Sequence, residues 1–372
     1  MARGRGASDL FELFVLAPDP ALETAAILAS YRSARVLAPF PRRGGADGAR
    51  WGRIIRLHER TLAVLDGRGR GRALPQGPEL RTFGRDLFET LLPGDVRRLY
   101  DVARSQRKRG ALDLLFTSML DWVADKPWEL AFDPSRHEFL ATSSVNFVRN
   151  AYTAVPADPP ARRRGRLRIL VAVARPHGRQ PLEDRSETND LKKAFRTLVD
   201  AGHAELEIVT RPTPAALQRR LAKGGVDVLH FVGHGHFDEK EREGFLVLED
   251  ERGAARPLGA EALRQVLCQR GLSLVFLNAC ETGRGGRVDW NRGVAPALVA
   301  AGIPAVVANQ YAVLDSAATV FARELYSVLA AGHGLGDAAR EARIALSREL
   351  GASRIDWAVP VVFTRHPRES LR

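Results

Sequence analysis

The chain has 372 residues, two cysteines and a formal net charge of +12. This length allows one large domain or two ordinary ones, and the apolar content is that of a globular protein. Two cysteines exclude a disulfide framework and favour a reducing compartment.

The positive charge comes mostly from arginine and is scattered along the chain without interleaved aromatic residues. We interpret its clusters as solvated surface, and we expect no nucleic-acid site. A basic nucleic-acid-binding regulator stays open as an alternative, since a high positive charge attracts phosphates. The three clusters lie at 68–72, 104–109 and 162–166.

No segment has the pattern of a signal peptide or a membrane helix. The apolar stretch near the N-terminus is brief and contains Glu12, unlike a signal peptide. The longest apolar run, residues 294–308, contains Pro296 and is shorter than the roughly 20 residues of a membrane helix. We therefore expect a soluble cytoplasmic protein without a membrane span.

Apolar periodicity in the first 160 residues predicts both strands and helices. Residues 21–29 fit either a helix or a strand, and Asp95 is expected to cap a helix. Segments rich in Gly, Pro and Arg at 67–77 and 154–166 are typical of linkers. The predicted strands cover 11–16, 33–38 and 111–116, and the predicted helices cover 51–65 and 82–92.

From residue 166 onward strand and helix patterns alternate, which predicts parallel strands joined by right-handed crossovers. Thr213 is the expected N-cap of one helix, and residues 244–253 are expected to form a hairpin. The predicted strands cover 166–174, 204–209, 226–237, 272–279, 303–310 and 359–364, and the predicted helices cover 191–198, 213–224, 260–268, 294–301, 315–329 and 337–350.

Two of these strands end in a reactive side chain with glycine close behind it. One contains His-Phe-Val-Gly-His-Gly (230–235), and the other contains Leu-Asn-Ala-Cys-Glu-Thr-Gly (277–283). Short apolar runs bounded by glycine are typical of buried parallel strands, whose carboxyl ends form the site crevice. The imidazole of His234 and the thiol of Cys280 are therefore expected to meet as base and nucleophile.

Two other interpretations also fit these residues. Cys280 fits a buried inert cysteine, and His230, His234 and His236 with Cys280 fit a zinc site. We favour the nucleophile, because glycine flanks Cys280 and the three histidines are spread along the strand without a Cys-x-x-Cys motif. We expect no metal and no other cofactor. His230 is expected to be a core histidine, and Cys268 an inert thiol.

The two motifs resemble those of the CHAT family of caspase-like proteases, in the clan of caspases, separases and gingipains. The resemblance covers roughly residues 80–366 and includes Pro-Trp-Glu-Leu (127–130) and the segment 302–310. It implies a caspase-like three-layer α/β sandwich with a mostly parallel central sheet, preceded by a smaller non-catalytic N-terminal region. The implied units are an N-terminal subdomain over 1–80, a degenerate companion half over 81–160 and a catalytic domain over 161–372.

The resemblance also implies a cysteine endopeptidase that acts through a thioester. His234 takes the role of the catalytic histidine and Cys280 that of the nucleophile, with the amides of Gly235 and Cys280 as the oxyanion hole. Asn278 and Asp315 fall where the clan builds its first specificity pocket. If Asp315 lines that pocket, the cleaved peptide carries Arg or Lys before the scissile bond. Equally, Asp315 fits a plain helix cap.

A protein substrate is implied as well, for example a gasdermin-like pore former in bacterial defence or cell death. The sequence contains no tetratricopeptide array, so we expect an activating partner protein or a sensing role for the N-terminal region. The alternative within the same fold is a catalytically silent interaction scaffold, which the presence of both His234 and Cys280 disfavours.

Overall fold

The computed structural model describes residues 9–19, 24–40, 45–65, 73–107, 110–152, 159–160, 165–177, 186–238, 243–279, 294–311 and 315–371. The strands are β1 (Leu10–Asp19), β2 (Thr24–Tyr31), β3 (Ala34–Pro39), β4 (Leu112–Ser118), β5 (Phe132–Asp133), β6 (Glu138–Phe139), β7 (Val145–Ala151), β8 (Leu167–Val173), β9 (Ala204–Thr210), β10 (Val228–Asp238), β11 (Glu243–Glu249), β12 (Ala255–Leu258), β13 (Leu274–Ala279), β14 (Ala305–Asn309) and β15 (Pro360–Thr364). The α-helices are α1 (Gly45–Leu65), α2 (Gly77–Leu91), α3 (Gly94–Gln106), α4 (Asp121–Ala124), α5 (Ser186–Asp200), α6 (Pro214–Ala222), α7 (Ala260–Leu267), α8 (Val294–Ala300), α9 (Asp315–Ala330) and α10 (Leu335–Leu350).

Thirteen of the described strands form one sheet, in the order β9-β8-β10-β13-β14-β15-β7-β4-β1-β2-β3, with β11 and β12 attached to the far end of β10. β9, β8, β10, β13 and β14 are parallel, as are β1, β4 and β7. β15 runs antiparallel to β14, and β2 and β3 form an antiparallel edge. The predicted α/β class with a mostly parallel central sheet is confirmed.

Side chains of the central strands alternate between two apolar cores, one on each face of the sheet. On β10, Val228 and Val232 belong to the core that also contains residues of α5, α9 and α10. Leu229 and Phe231 belong to the other core, which contains residues of α6, α7 and α8. Successive residues of a strand point to opposite faces, so the sheet is a middle layer with helices on both sides.

Two sets of strands meet at β15 and β7. We call β1–β7 with α1–α4 the N-terminal half, and β8–β15 with α5–α10 the C-terminal half. The ladder between β15 and β7 consists of one residue pair, Phe363 with Arg149. Arg343, which is fully buried, donates hydrogen bonds to the carbonyls of Phe147 on β7 and Pro360 on β15. Burial lowers the pKa of Arg343 to about 10, so its guanidinium is still charged at neutral pH.

A second buried arginine joins the two halves from the N-terminal side. Arg149 forms a two-pronged ion pair with Glu129, and both side chains are buried. Its guanidinium also donates to the carbonyls of Ala124 and Lys126, and to Oε1 of Gln310 at 3.0 Å. Gln310 directly follows β14, so the buried charge of one half holds the end of a strand in the other.

Most of the predicted helices and strands are confirmed, and the choice between helix and strand for residues 21–29 is settled where that segment is described. Residues 24–29 lie in β2, so the predicted helix over this part of the segment 21–29 is wrong, and residues 21–23 lie outside the described residues. Thr213 caps α6, with its hydroxyl accepting from the amide of Ala216 at 3.2 Å. β11 and β12 form the predicted hairpin.

Two details differ from the predictions. Pro93, not Asp95, is the N-cap residue of α3, and Asp95 lies in the first turn of that helix. Arg104 belongs to a cluster that we expected to be solvated, yet it is buried. Its guanidinium donates to Tyr100 Oη and to a carboxylate oxygen of Glu138, because an arginine with internal partners need not reach water.

The stability of the folded chain against unfolding is expected to depend on the ion pair between Arg149 and Glu129. Glu129→Gln leaves a buried guanidinium without its counter-charge, which typically costs about 3–5 kcal/mol. The variant should therefore show a clear drop in the denaturant midpoint at neutral pH. Glu261→Gln serves as the matched control, since Glu261 forms a solvent-exposed pair with Arg264 and its loss should leave the midpoint unchanged. Equal midpoints for Glu129→Gln and the native protein would contradict the structural role.

Candidate active site

His234 lies on β10 at the point where the strand changes partners. Up to Gly233, β10 is paired with β13 in the central sheet, and from His234 it is paired with β11. His234 is 4% exposed. A Cβ on Gly233 would lie 2.7 Å from the ring of Phe231, so glycine is required directly before this histidine.

Three polar side chains end three neighbouring strands on the same face of the sheet. Strand alternation places His234 on the face of Val228 and Val232, toward α5 and α9. Asn278 on β13 and Asn309 on β14 follow the same alternation and are 6% and 1% exposed. Nδ2 of Asn309 donates to Oδ1 of Asn278 at 3.1 Å, which ties the ends of the two strands together.

The N-terminus of α9 lies at the level of these side chains. Tyr326 of α9 packs over His230, and only residues 310–314 separate Asn309 from the helix start. Asp315 begins the helix eleven positions before Tyr326, which is about 16 Å of helix. His234 lies about 13 Å beyond His230 along the strand. The positive end of the α9 dipole is therefore near the carboxyl ends of β10, β13 and β14.

The predicted nucleophile itself lies outside the described residues. Cys280 directly follows Ala279, the last residue of β13. Ala279 is paired with Gly233, and Gly233 directly precedes His234. Gly235, predicted to supply an oxyanion-hole amide, lies opposite Leu246 in the ribbon of β10 and β11.

His230 is a core histidine, as predicted. Nδ1 of His230 is 3.0 Å from Oη of Tyr326, and its ring stacks on Phe276 at 4.5 Å between centroids. Burial lowers the pKa of His230 to about 3, so the imidazole is neutral at physiological pH. Burial raises the pKa of Tyr326 well above its usual value, so this hydroxyl stays protonated.

Cys268 ends α7 and is 9% exposed. Burial raises the pKa of its thiol, and the nearby Arg264 only partly opposes that effect. This thiol is thus less ionised than a free cysteine, as expected of an inert residue. Within the described part of the chain there is no cluster of three or more His, Cys, Asp or Glu side chains with metal-site geometry.

Sequence reasoning missed Asn309 and Tyr326. Asn309 could have been found by the signal that identified His234, since it is a polar residue directly ending a buried apolar run. Among the described residues, its Oδ1 has no hydrogen-bond partner although it is buried. Tyr326 gave no such signal, because it lies inside a helical pattern and its contact with His230 spans 96 positions.

The sequence matches the family model of the CHAT domain over residues 81–365. The chain belongs to the CHAT domain family. This range agrees with the stretch of roughly 80–366 over which the sequence resembles the family. The two segments that carry the sequence resemblance, 230–235 and 277–283, fall inside it.

Solved structures similar to this CHAT protein include a separase–securin complex and the Arg-specific cysteine proteinase gingipain R. The separase–securin complex of Saccharomyces cerevisiae matches with a TM-score of 0.47 and 12% identity, over 97% of this chain and 30% of that one. Gingipain R (RgpB) matches with a TM-score of 0.46 and 12% identity, over 77% of this chain and 71% of that one. The complex of the pro- and mature domains of Porphyromonas gingivalis RgpB gives 0.47 and 12%, over 78% and 72%.

The chain thus spans less than a third of the separase chain that it matches. No curated protein matches the sequence. Within the described residues, no helix combines the length and apolarity that crossing a membrane requires.

The buried His230 predicts a stability that falls with decreasing pH. Its pKa is about 3 in the folded chain and near 6.5 when unfolded, so between these values the unfolded state binds more protons. Stability from this group is complete above pH 6.5 and falls by about 1.4 kcal/mol per pH unit below it. Urea midpoints at pH 7 and pH 5 should differ less for His230→Phe than for the native chain.

His203→Ala is the control for this measurement, because His203 is exposed and its loss should leave the pH dependence unchanged. Carboxylates elsewhere contribute equally to all three proteins, so the difference in slope reports on His230. An unchanged slope in His230→Phe would show that His230 does not titrate as a buried neutral imidazole.

Proposed function

We propose that this CHAT-domain protein is a cysteine endopeptidase, with Cys280 as nucleophile and His234 as general base. The pairing of Gly233 with Ala279 carries the proposal, because His234 is the next residue of β10 and Cys280 directly follows the last residue of β13 in the sequence. Neighbouring strands are about 4.8 Å apart, so side chains that leave adjacent positions on one face are within reach of each other. Family membership supports the same assignment.

In the proposed reaction, the imidazole of His234 takes the proton of the Cys280 thiol. The thiolate attacks the scissile carbonyl carbon, and the oxyanion accepts hydrogen bonds from the amides of Gly235 and Cys280. His234 then gives its proton to the departing amine, which leaves a thioester on Cys280. A water molecule, deprotonated by His234, hydrolyses the thioester and restores the thiol.

The surroundings of His234 favour this chemistry. A free thiol has a pKa near 8.5 and is only slightly ionised at neutral pH. The positive end of the α9 dipole, near the ends of β10 and β13, favours the thiolate. His230 is neutral beneath the site and adds no competing charge. Burial of His234 keeps its imidazole in one orientation.

Substrate selection is proposed to involve Asn278 and Asp315. Asn278 is held in place by Asn309, which fixes the end of the strand that leads to Cys280. Asp315 begins α9, at the level of the strand ends. A carboxylate there favours a substrate with Arg or Lys before the scissile bond. A protein substrate, such as a gasdermin-like pore former in bacterial defence or cell death, rests on the family resemblance alone.

Alkylation tests the nucleophile without any substrate. With limiting iodoacetamide at pH 7, Cys280 should be modified at least about tenfold faster than Cys268, because an activated thiol is more ionised and a buried one less so. Mass spectrometry of the digested protein gives both rates. His234→Ala should slow Cys280 and leave Cys268 unchanged.

The control is again His203→Ala, which removes an exposed imidazole and should leave both rates as they are. If Cys280 reacts no faster than Cys268 in the native chain, the nucleophile is not activated. The interaction scaffold would then be favoured, or an enzyme that needs its activating partner.

A second experiment tests the acidic specificity pocket. Peptides that differ only in Arg, Lys, Asp or Leu before the scissile bond should be cleaved in favour of Arg and Lys. Asp315→Asn should lower kcat/KM for those two by about 100-fold, the effect of losing one partner of a desolvated charge pair. Asparagine has nearly the size and shape of aspartate, so the variant removes the side-chain charge with little change in volume. Equal cleavage of all four peptides would exclude the acidic pocket.

A further inference from the structure

A cavity lies at the carboxyl ends of β4 and β7, where the N-terminal half meets the C-terminal half. It has a volume of about 230 Å³. Ser118 and Met119 at the end of β4, and Ala151 and Tyr152 at the end of β7, form part of its wall. β4 and β7 are parallel, and crevices at the carboxyl ends of parallel strands are where such sheets bind their ligands. Neither His234 nor Asn278 lines this cavity.

The size of the cavity decides what kind of occupant it fits. Pockets for cofactors and drug-sized ligands usually have about 300–1,000 Å³. A cavity of about 150 Å³ holds one benzene molecule. A volume of 230 Å³ lies between these and fits one large apolar side chain, such as Phe or Leu, with its first neighbours. The wall suits such a side chain, since Phe116, Val361 and Phe363 contribute to it.

Two exposed apolar side chains, Met119 and Tyr152, line the cavity, and a third, Trp122, directly follows the lining residue Asp121 in the sequence. Met119, Trp122 and Tyr152 are 39%, 44% and 55% exposed, and they are three of the six large apolar residues on the surface of the described chain. Tyr152 stacks on Phe14 and Trp122 packs edge-on against other aromatic rings, so both are held in position. Clustered exposed apolar side chains of this kind mark interaction sites.

Among the described lining residues, one carboxylate is exposed to solvent. Inside, Asp125 is paired with Lys126 at 2.6 Å, and Arg149 is paired with Glu129, so these charges cancel. Asp121 lies in the cavity lining and is exposed to solvent. In a chain of net charge +12, this carboxylate favours a positively charged neighbour of the buried anchor.

We propose that this cavity is a docking site for a partner protein, which inserts one large apolar side chain flanked by Lys or Arg. The bound anchor contacts the N-terminal half directly. It also reaches the C-terminal half, which contributes four residues of the wall. Pro296 lies in the first turn of α8 and Gln310 directly follows Asn309. Val361 and Phe363 belong to β15. The docking site is therefore separate from the proposed catalytic residues but shares its wall with the segments that flank them.

Methionine provides a specific probe of the cavity. The chain contains only Met1 and Met119, and Met119 is part of the cavity wall. Protein labelled with ¹³C at the methionine methyl groups should give two NMR signals. The signal that disappears in Met119→Leu belongs to Met119. The probe is the peptide acetyl-Gly-Lys-Phe-Gly-amide, compared with peptides in which Ala replaces Phe or Glu replaces Lys.

The Lys-Phe peptide should shift the Met119 signal to saturation, and the Ala peptide should leave it in place. The Glu peptide should bind the native protein about two- to fivefold more weakly than the Lys-Phe peptide. Asp121→Asn should reduce this preference for Lys over Glu by the same factor. Ala151→Leu, which fills the cavity from its wall, should abolish the shift. Because Asp121 is exposed, its variant folds even if the filled cavity proves unstable.

Two outcomes would overturn the proposal. One is an unmoved Met119 signal, or equal shifts with the Phe and Ala peptides. The other is a shift that follows protein concentration alone, which would make a second copy of the chain the occupant. The measurement detects binding without catalysis, so its result is independent of whether Cys280 is active.

Discussion

The register between β10 and β13 is the constraint on which the site depends. Each of these strands is buried on both faces, so a slip of one residue would move every side chain into the opposite core. The two cores therefore fix Gly233 beside Ala279. Packing energy that is spread over many apolar contacts thereby sets the position of His234, although none of those contacts takes part in the proposed reaction. A functional geometry held in this way is rigid because the whole sheet would have to move with it.

The same face carries a layer of buried polar groups under the strand ends. Nδ1 of His230 and Oη of Tyr326 form a hydrogen bond, and Nδ2 of Asn309 donates to Oδ1 of Asn278. These groups are neutral, so they add direction without the desolvation cost of buried charge. Two buried charges, those of Arg343 and Arg149, lie at the junction of the two halves, where they bind carbonyls of both halves and the carboxylate of Glu129.

The junction of the halves also explains how one sheet can contain two crevices. β15 and β7 share one residue pair, and the arginines replace the missing ladder bonds. On one side of this junction lie the strand ends with His234 and Asn278. The cavity at the ends of β4 and β7 lies at the junction itself, since Val361 and Phe363 of β15 line it together with residues of β7. Gln310 belongs to both regions, since it follows Asn309, accepts a hydrogen bond from Arg149 and lines the cavity.

Local patterns in the sequence were enough to predict most strands and helices and two candidate site residues. Apolar runs bounded by glycine gave the parallel strands, Thr213 marked a helix start, and the two motifs gave His234 and Cys280 as candidates. The sequence left residues 21–29 undecided because a short apolar run fits a helix or an edge strand until its neighbours are known. Only the tertiary structure decided that Arg104 is buried, that Tyr326 meets His230 and that Asn309 joins the site. Each of these contacts joins residues far apart in the chain, and the periodicity of a short segment cannot predict a contact of that kind.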